Sequence, residues 1–174
     1  SNLASLLTLT NRFKEAEPLM RQALVIDEAT FGMDHPNVSI RLNNLSGLLH
    51  ETNRLSEAEP LMRRALAIHE TIYGGNHPTV AIEVYNLAGL LHAMGRSGEA
   101  EPLFRRALAI DEESFGSDHP NVGMRLWGLA ELLNDTSRQK EAEPLYRRAI
   151  LNFILFTQET GHQHPGLHAC LMNY

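Results

Sequence analysis

The sequence contains a single cysteine, Cys170, in 174 residues. One thiol excludes an internal disulfide framework and any zinc site that needs several cysteines. The chain also lacks a run of 18 apolar residues, so no segment has the length of a membrane-spanning helix and we expect no membrane contact. Because disulfides are rare in reducing compartments, this cysteine content favours a cytoplasmic location.

Positive charge and aromatic side chains are scarce as well. Fifteen Lys and Arg face 21 Asp and Glu, which leaves a net charge of −6. Proteins that bind nucleic acid draw much of their affinity from cations that neutralise phosphates, so we expect no nucleic-acid partner. Aromatic residues make up only 6% of the chain, so the place of each one is informative.

What the sequence has in abundance is repetition. The tetrapeptide Glu-Ala-Glu-Pro begins at Glu15, Glu57, Glu99 and Glu141, each 42 residues after the last. The dipeptide His-Pro begins at His35, His77 and His119, and again after 45 residues at His164. A glycine follows each long helical pattern, at Gly32, Gly74, Gly116 and Gly161. Three markers that share one period predict a repeat architecture.

Each period carries the signals of two helices. A proline suits the first turn of a helix, so helix A is expected to start at Pro36, Pro78, Pro120 and Pro165, with the preceding residue as its cap. Helix B is expected to start near Ser56, Ser97 or Ser137 and to end at the recurring glycine. The proline of Glu-Ala-Glu-Pro falls early in helix B, where it removes at most one backbone hydrogen bond.

Both helices carry an apolar stripe at helical spacing. In helix B the stripe is Ala58, Leu61, Met62, Ala65 and Leu66, and in helix A it is Leu42, Leu45, Ser46 and Leu49. Each unit is therefore a hairpin, and neighbouring hairpins must stack to bury enough apolar surface. This predicts an all-α solenoid of antiparallel helix hairpins. Its repeats are 1–34 (partial), 35–76, 77–118, 119–163 with a lengthened second helix, and 164–174, the start of a truncated fifth.

The motif set resembles the tetratricopeptide repeats, in the 42-residue type of kinesin light chains and many bacterial arrays. The resemblance rests on Asn86-Leu87-Ala88-Gly89-Leu90-Leu91, Gly95, Glu99-Ala100-Glu101-Pro102-Leu103, Arg106-Ala107-Leu108-Ala109-Ile110, Gly116 and His119-Pro120. It implies a right-handed superhelical scaffold that holds peptide segments or partner proteins. It also implies no catalysis and no cofactor.

Helical geometry indicates where a partner would bind. The side of helix A opposite its apolar stripe lines the concave groove in the resembled family, and we expect it to bind a peptide or a protein. Its predicted residues are Ile40, Asn43, Asn44, Gly47, His50, Ile82, Tyr85, Asn86, Gly89, His92, Met124, Trp127, Glu131 and Asn134.

Some of these positions allow two interpretations. Trp127, the single tryptophan, is either a binding anchor on the groove or a packing residue against the next A helix. Recurring asparagines at Asn2, Asn44, Asn86 and Asn173 either hold a peptide backbone or bond neighbouring helices. Only Arg41 and Arg125 flank the groove, which argues against a clamp for a terminal carboxylate.

The fourth repeat and the chain ends leave further alternatives. The added apolar stretch Leu151–Phe156 is either a cap on the core or an interface. Asn2-Leu3 and Asn173-Tyr174 match Asn44-Leu45, so the chain is expected to be part of a longer array whose cut ends can associate head to tail.

The functional expectation is a binding scaffold, an adaptor or sensor module of a larger protein and not an enzyme. A self-assembling structural spacer is the alternative. His162, His164 and His168 have the residue type of metal ligands, but capping explains His164, so no metal site is predicted.

Overall fold

The computed structural model describes residues 6–8 and 10–173, except the side chains of residues 169, 172 and 173. The described residues form helices and turns without a β-strand. The helices of nine residues or more are α1 (Phe13–Phe31), α2 (Pro36–Glu51), α3 (Leu55–Tyr73), α4 (Pro78–Ala93), α5 (Ser97–Phe115), α6 (Pro120–Asp135), α7 (Gln139–Thr160) and α8 (Pro165–Asn173).

These helices form two compact units, Ser1–Gly75 with α1 to α3 and Asn76–Tyr174 with α4 to α8. In the first unit α2 packs on α1 and α3. In the second, α4 packs on α5, α6 packs on α5 and α7, and α8 packs on α7. Helices α2, α4, α6 and α8 are the predicted A helices, and α1, α3, α5 and α7 are B helices. The hairpins are confirmed, while residues 1–5, 9 and 174 of the predicted partial repeats lie outside the described part.

Histidines begin the A helices as expected. The Nδ1 atoms of His35, His77 and His119 each accept a hydrogen bond of 3.2 Å from the backbone N–H two residues later. His164 Nδ1 accepts the same bond from Gly166 at 3.1 Å. Each bond satisfies one of the backbone donors that a helix start leaves free. Among the described residues no group of His, Cys, Asp and Glu is arranged to hold a metal ion.

The turn from each A helix to its B helix places one residue in the left-handed region. Asn11, Asn53, Gly95 and Ser137 have φ of 58°, 56°, 74° and 62°. Helix α7 begins at Gln139, two residues after Ser137, because Ser137 takes the left-handed position of the turn. The arginine after this turn residue is the N-cap of every B helix, although its side chain makes no cap bond there.

Ion pairs join successive B helices within each unit, and we call this set the B-layer ladder. Arg54 binds Glu57 of its own helix at 2.7 Å and Glu17 of the preceding B helix at 2.6 Å. Arg138 does the same with Glu141 and Glu101, at 2.7 Å each. The first glutamate of Glu-Ala-Glu-Pro thus holds its own N-cap arginine, while the second holds the arginine of the next repeat.

A second set of pairs strengthens the ladder further along the helices. Arg64 pairs with Glu28 and donates to the carbonyl of Met33 at 2.8 Å. Arg148 pairs with Glu112 at 2.6 Å and donates to the carbonyl of Ser117 at 3.2 Å. These guanidinium groups bond both the preceding B helix and the loop that follows it, so they fix the spacing of the B helices in each unit.

Because of the B-layer ladder, the stability of the fold depends on pH in the acid range. Hydrogen bonds from Arg138 are the largest cause of the lowered pKa values of Glu101 and Glu141. A carboxyl group with a folded-state pKa below its ordinary 4.5 stabilises the fold above that pH, and the gain is lost as pH falls through the lowered pKa. The B-layer ladder therefore stabilises the fold at neutral pH and loses this effect in acid.

We expect Arg138→Ala to lower the melting temperature by a few degrees at pH 7. The difference from the unsubstituted chain should shrink as the pH falls below 4.5 and through the lowered pKa values of Glu101 and Glu141. Thermal unfolding followed by circular dichroism across this pH range measures both. Arg147→Ala is the matched control: Arg147 pairs with Glu143 on its own helix at 2.6 Å, so its loss should change the melting temperature less. A gap that stays constant with pH would contradict the role of Glu101 and Glu141.

Candidate functional site

The A face is the set of 14 outward positions predicted on α2, α4 and α6, and all of them are at least partly accessible to solvent. Ile40 and Ile82 are about half exposed, at 51% and 48%. The side opposite is the core, where Leu42, Leu45 and Leu49 are buried. Also exposed are Asn44, Gly47, His50, Asn86 and Asn134, and half-buried are Asn43, Tyr85, Gly89, His92, Met124, Trp127 and Glu131.

Tyr85 on α4 is held within the second unit. Its ring meets the edge of Phe104 on α5 with 5.3 Å between centroids, and the Arg125 guanidinium lies 4.5 Å from its centroid. A Cβ at Gly128 on α6 would come within 2.6 Å of the Tyr85 hydroxyl. Burial raises the pKa of Tyr85. Tyr85 is thus a packing residue that fills the space left by Gly128, which makes it a poor anchor for a partner.

The two arginines beside the A face are engaged with aspartates of the preceding B helix. Arg125 Nε donates to Asp111 Oδ2 at 2.7 Å, with side chains only 9% and 1% exposed. Arg41 Nε donates to Asp27 Oδ2 at the same distance. No other Lys or Arg occurs in α2, α4, α6 or α8. Both guanidinium groups that flank the A face are therefore paired with aspartates.

The helical pattern does not reveal these ion pairs, but the sequence carries another signal for them. Asp27, His69 and Asp111 are buried polar residues spaced 42 residues apart on successive B helices. His69 contacts the Ser39 hydroxyl on α2 at 2.6 Å. Buried polar side chains at a core position require partners. An Asp followed 14 residues later by an Arg, twice in the sequence, could have identified the ion pairs.

Trp127 on α6 lies at an apolar cavity of about 400 Å³, lined also by Met124 of α6 and by His164, Pro165 and Gly166 at the start of α8. The indole Nε1 is buried and has no acceptor among the described residues. Burial lowers the pKa of His164, so its ring is uncharged at neutral pH. Trp127 therefore faces the next A helix across an open apolar space.

Acidic side chains follow Trp127 along α6. Glu131 and Asp135 come one and two turns later, and Asp135 Oδ2 lies 3.0 Å from His92 Nε2 on α4. Burial raises the pKa of Tyr146 to about 12 and that of Cys170 to about 11. The negative charge of Glu131 is the second largest cause of both shifts. The potential beside this part of α6 is therefore negative.

The other predicted features are the recurring asparagines and the lengthened last B helix. Asn44 and Asn86 are exposed, while Asn2 and the side chain of Asn173 lie outside the described residues. In the lengthened α7, Phe153 is buried and stacks on His164 with 4.3 Å between ring centroids, as a cap would. Also on α7, and exposed, are Leu151, Ile154 and Leu155, which we call the α7 strip.

Comparison with known proteins decides the family. The sequence profile of the tetratricopeptide repeat matches residues 1–71 and 79–150, most of the chain. The chain belongs to the tetratricopeptide repeat family. Tetratricopeptide repeats generally mediate protein–protein interaction, and proteins of this family are typically scaffolds without enzymatic activity.

Solved structures of tetratricopeptide type share its fold. They include a kinesin light chain-like protein of Podosopora anserina with nearly identical TPR-like repeats, which is 23% identical over 97% of this chain and 79% of that chain, with a TM-score of 0.78. A single-substitution form of it has a TM-score of 0.80 at the same identity, and covers 97% of this chain and 78% of that chain. BtubC (BKLC) from P. vanneervenii is 22% identical over 94% of this chain and 64% of that chain, with a TM-score of 0.81.

These likenesses confirm the predicted fold class, a right-handed all-α solenoid of helix hairpins. At such identities they show the fold alone. No curated protein sequence shows significant similarity to this chain. None of the described helices combines the length and apolar character that crossing a bilayer requires.

Alanine substitutions at two glycines, Gly128 and Gly89, test the packing of Tyr85 against Gly128. We expect Gly128→Ala to destabilise the fold by about 1–3 kcal/mol, because the new methyl group overlaps the Tyr85 ring. Gly89→Ala is the control: its Cβ would meet nothing within 4 Å, so it should be neutral or stabilise by up to about 1 kcal/mol. Urea unfolding measures both. Equal effects of the two substitutions would show that Tyr85 is free to move away.

Proposed function

We propose that the A face binds a peptide segment or a partner protein, and that the chain serves as an adaptor or sensor module of a larger protein. The observation that carries this is the difference between the two kinds of helix. The N-cap arginines of α3 and α7 are engaged in the B-layer ladder. On the A helices, by contrast, the side chains exposed to solvent include Ile40, Asn44, Ile82 and Asn86. Exposed apolar and amide groups in recurring positions are suited to a protein ligand.

The proposal treats the chain as a scaffold without its own catalysis, located in the cytoplasm. The histidines that could serve as bases, His35, His77 and His119, recur with the repeat and cap helices. A catalyst needs an asymmetric constellation of groups, so residues that recur with the scaffold are weak candidates. The cytoplasmic assignment rests on the single cysteine, as argued from the sequence.

The test compares exposed apolar residues on the two kinds of helix. Ile40→Asp and Ile82→Asp place charge on the A face, and Val25→Asp and Leu151→Asp place it on equally exposed positions of B helices. We expect the first pair to reduce capture of a partner protein by the intact parent protein at least about tenfold, because a charge desolvated in an interface is costly. The second pair should leave capture unchanged, and circular dichroism checks folding.

The controls also separate the alternative surfaces. Loss of capture confined to Leu151→Asp would contradict the proposal and assign binding to the α7 strip. Capture of a second copy of the same chain through that strip would favour the self-assembling spacer instead.

A further inference from the structure

One stripe of α6 changes from apolar to acidic along its length. Met124, Trp127, Glu131 and Asp135 are spaced by three, four and four residues, so they share one side of the helix, and we call them the α6 stripe. The apolar end lines the 400 Å³ cavity with Pro165 and Gly166. The other end carries two carboxylates, and the Asp135 side chain is 61% exposed.

The apolar end offers a pocket for one side chain. Few polar groups face the cavity, since Met124 and Trp127 form one wall and the uncharged ring of His164 belongs to the other. A cavity of this size accommodates a side chain as large as Leu, Met or Phe. Because a charged group would lose its water there without gaining a partner, the pocket selects an apolar occupant.

The acidic end selects charge of the opposite sign. Arg125, the cation nearest in sequence, is held by Asp111 with only 9% of its side chain exposed. His92 Nε2 lies 3.0 Å from Asp135 Oδ2 at this end. An incoming Lys or Arg would add a favourable pair with Glu131 or Asp135, whereas an incoming carboxylate would meet like charge.

Helix geometry determines the distance between the apolar cavity at Trp127 and the two carboxylates. At 1.5 Å per residue, Glu131 and Asp135 lie about 6 and 12 Å beyond Trp127 along α6. In an extended peptide, residues two and four positions apart point the same way and are about 7 and 13 Å apart. These distances match those of the α6 stripe.

We propose that the α6 stripe binds an extended peptide segment with an apolar side chain in the Trp127 cavity and a Lys or Arg two or four residues away. This inference rests on the proposed function and adds the chemistry of the ligand, which is a basic segment with one apolar anchor. Both peptide directions satisfy the spacing.

The experiment selects ligands without assuming their sequence. A library of random dodecapeptides is selected on the intact chain, and the binders are measured by anisotropy of a labelled peptide and by fluorescence of Trp127, the single tryptophan. We expect binders to share an apolar residue with Lys or Arg two or four positions away, to shift the Trp127 emission, and to weaken as salt is added.

Substitutions locate the two contacts. Trp127→Ala should weaken these peptides about tenfold or more, and Glu131→Gln with Asp135→Asn should weaken them several-fold while removing most of the salt dependence. The matched control is Glu113→Gln with Glu159→Gln, which removes two exposed carboxylates from B helices and should leave affinity unchanged. Because the carboxylate substitutions lie at partly exposed positions, they keep the test valid if Trp127→Ala fails to fold.

The outcomes distinguish this inference from the proposed function. Binders of neutral or acidic composition that are blocked by Ile82→Asp would overturn the inference and leave the A face as the binding surface. If the control substitutions at Glu113 and Glu159 weaken the binding of basic peptides as much as those at Glu131 and Asp135, the affinity depends only on the net charge of the chain. That result would also overturn the inference. Absence of any binder overturns it as well, whereas the proposed function is decided by the capture experiment.

Discussion

In the second unit, Arg125 on α6 and Asp111 on α5 form an ion pair whose side chains are only 9% and 1% exposed. Removing two charges from water is expensive, and the interaction is favourable only when geometry and further contacts compensate. Here the Nε–Oδ2 distance is 2.7 Å and the guanidinium also covers the ring of Tyr85, while the second carboxylate oxygen, Oδ1, is buried with no hydrogen-bond partner among the described residues. The same pair, Arg41 with Asp27, recurs in the first unit. An A helix is thereby fixed to the B helix before it.

This pairing determines the chemistry of the A face. Since the arginines of α2 and α6 are engaged with aspartates, the face presents apolar, amide and acidic groups. In the B helices, by contrast, the N-cap arginines pair with the glutamates of Glu-Ala-Glu-Pro and form the B-layer ladder. In the described helices the exposed Lys and Arg side chains therefore lie on the B helices and not on the A face.

Local signals explain what the sequence could predict. The His-Pro caps, the terminal glycines and the 42-residue period predicted the helices and hairpins, because each acts within a few residues. The ion pairs of Arg54 with Glu17 and of Arg125 with Asp111 connect different helices, so a helical pattern alone does not identify them. Tyr85 was expected on the groove because a helical wheel gives its direction, but the wheel does not show that Gly128 leaves room for its ring.

A double-mutant cycle on Asp111→Ala and Arg125→Ala tests directly whether the buried ion pair acts as one unit. Each single substitution leaves one charge buried without its partner and should cost about 3–5 kcal/mol in unfolding free energy. The double substitution should cost less than the sum of the two, by at least about 1 kcal/mol. Costs that simply add would contradict the claim that this pair fixes the A helix and removes its arginine from the binding face.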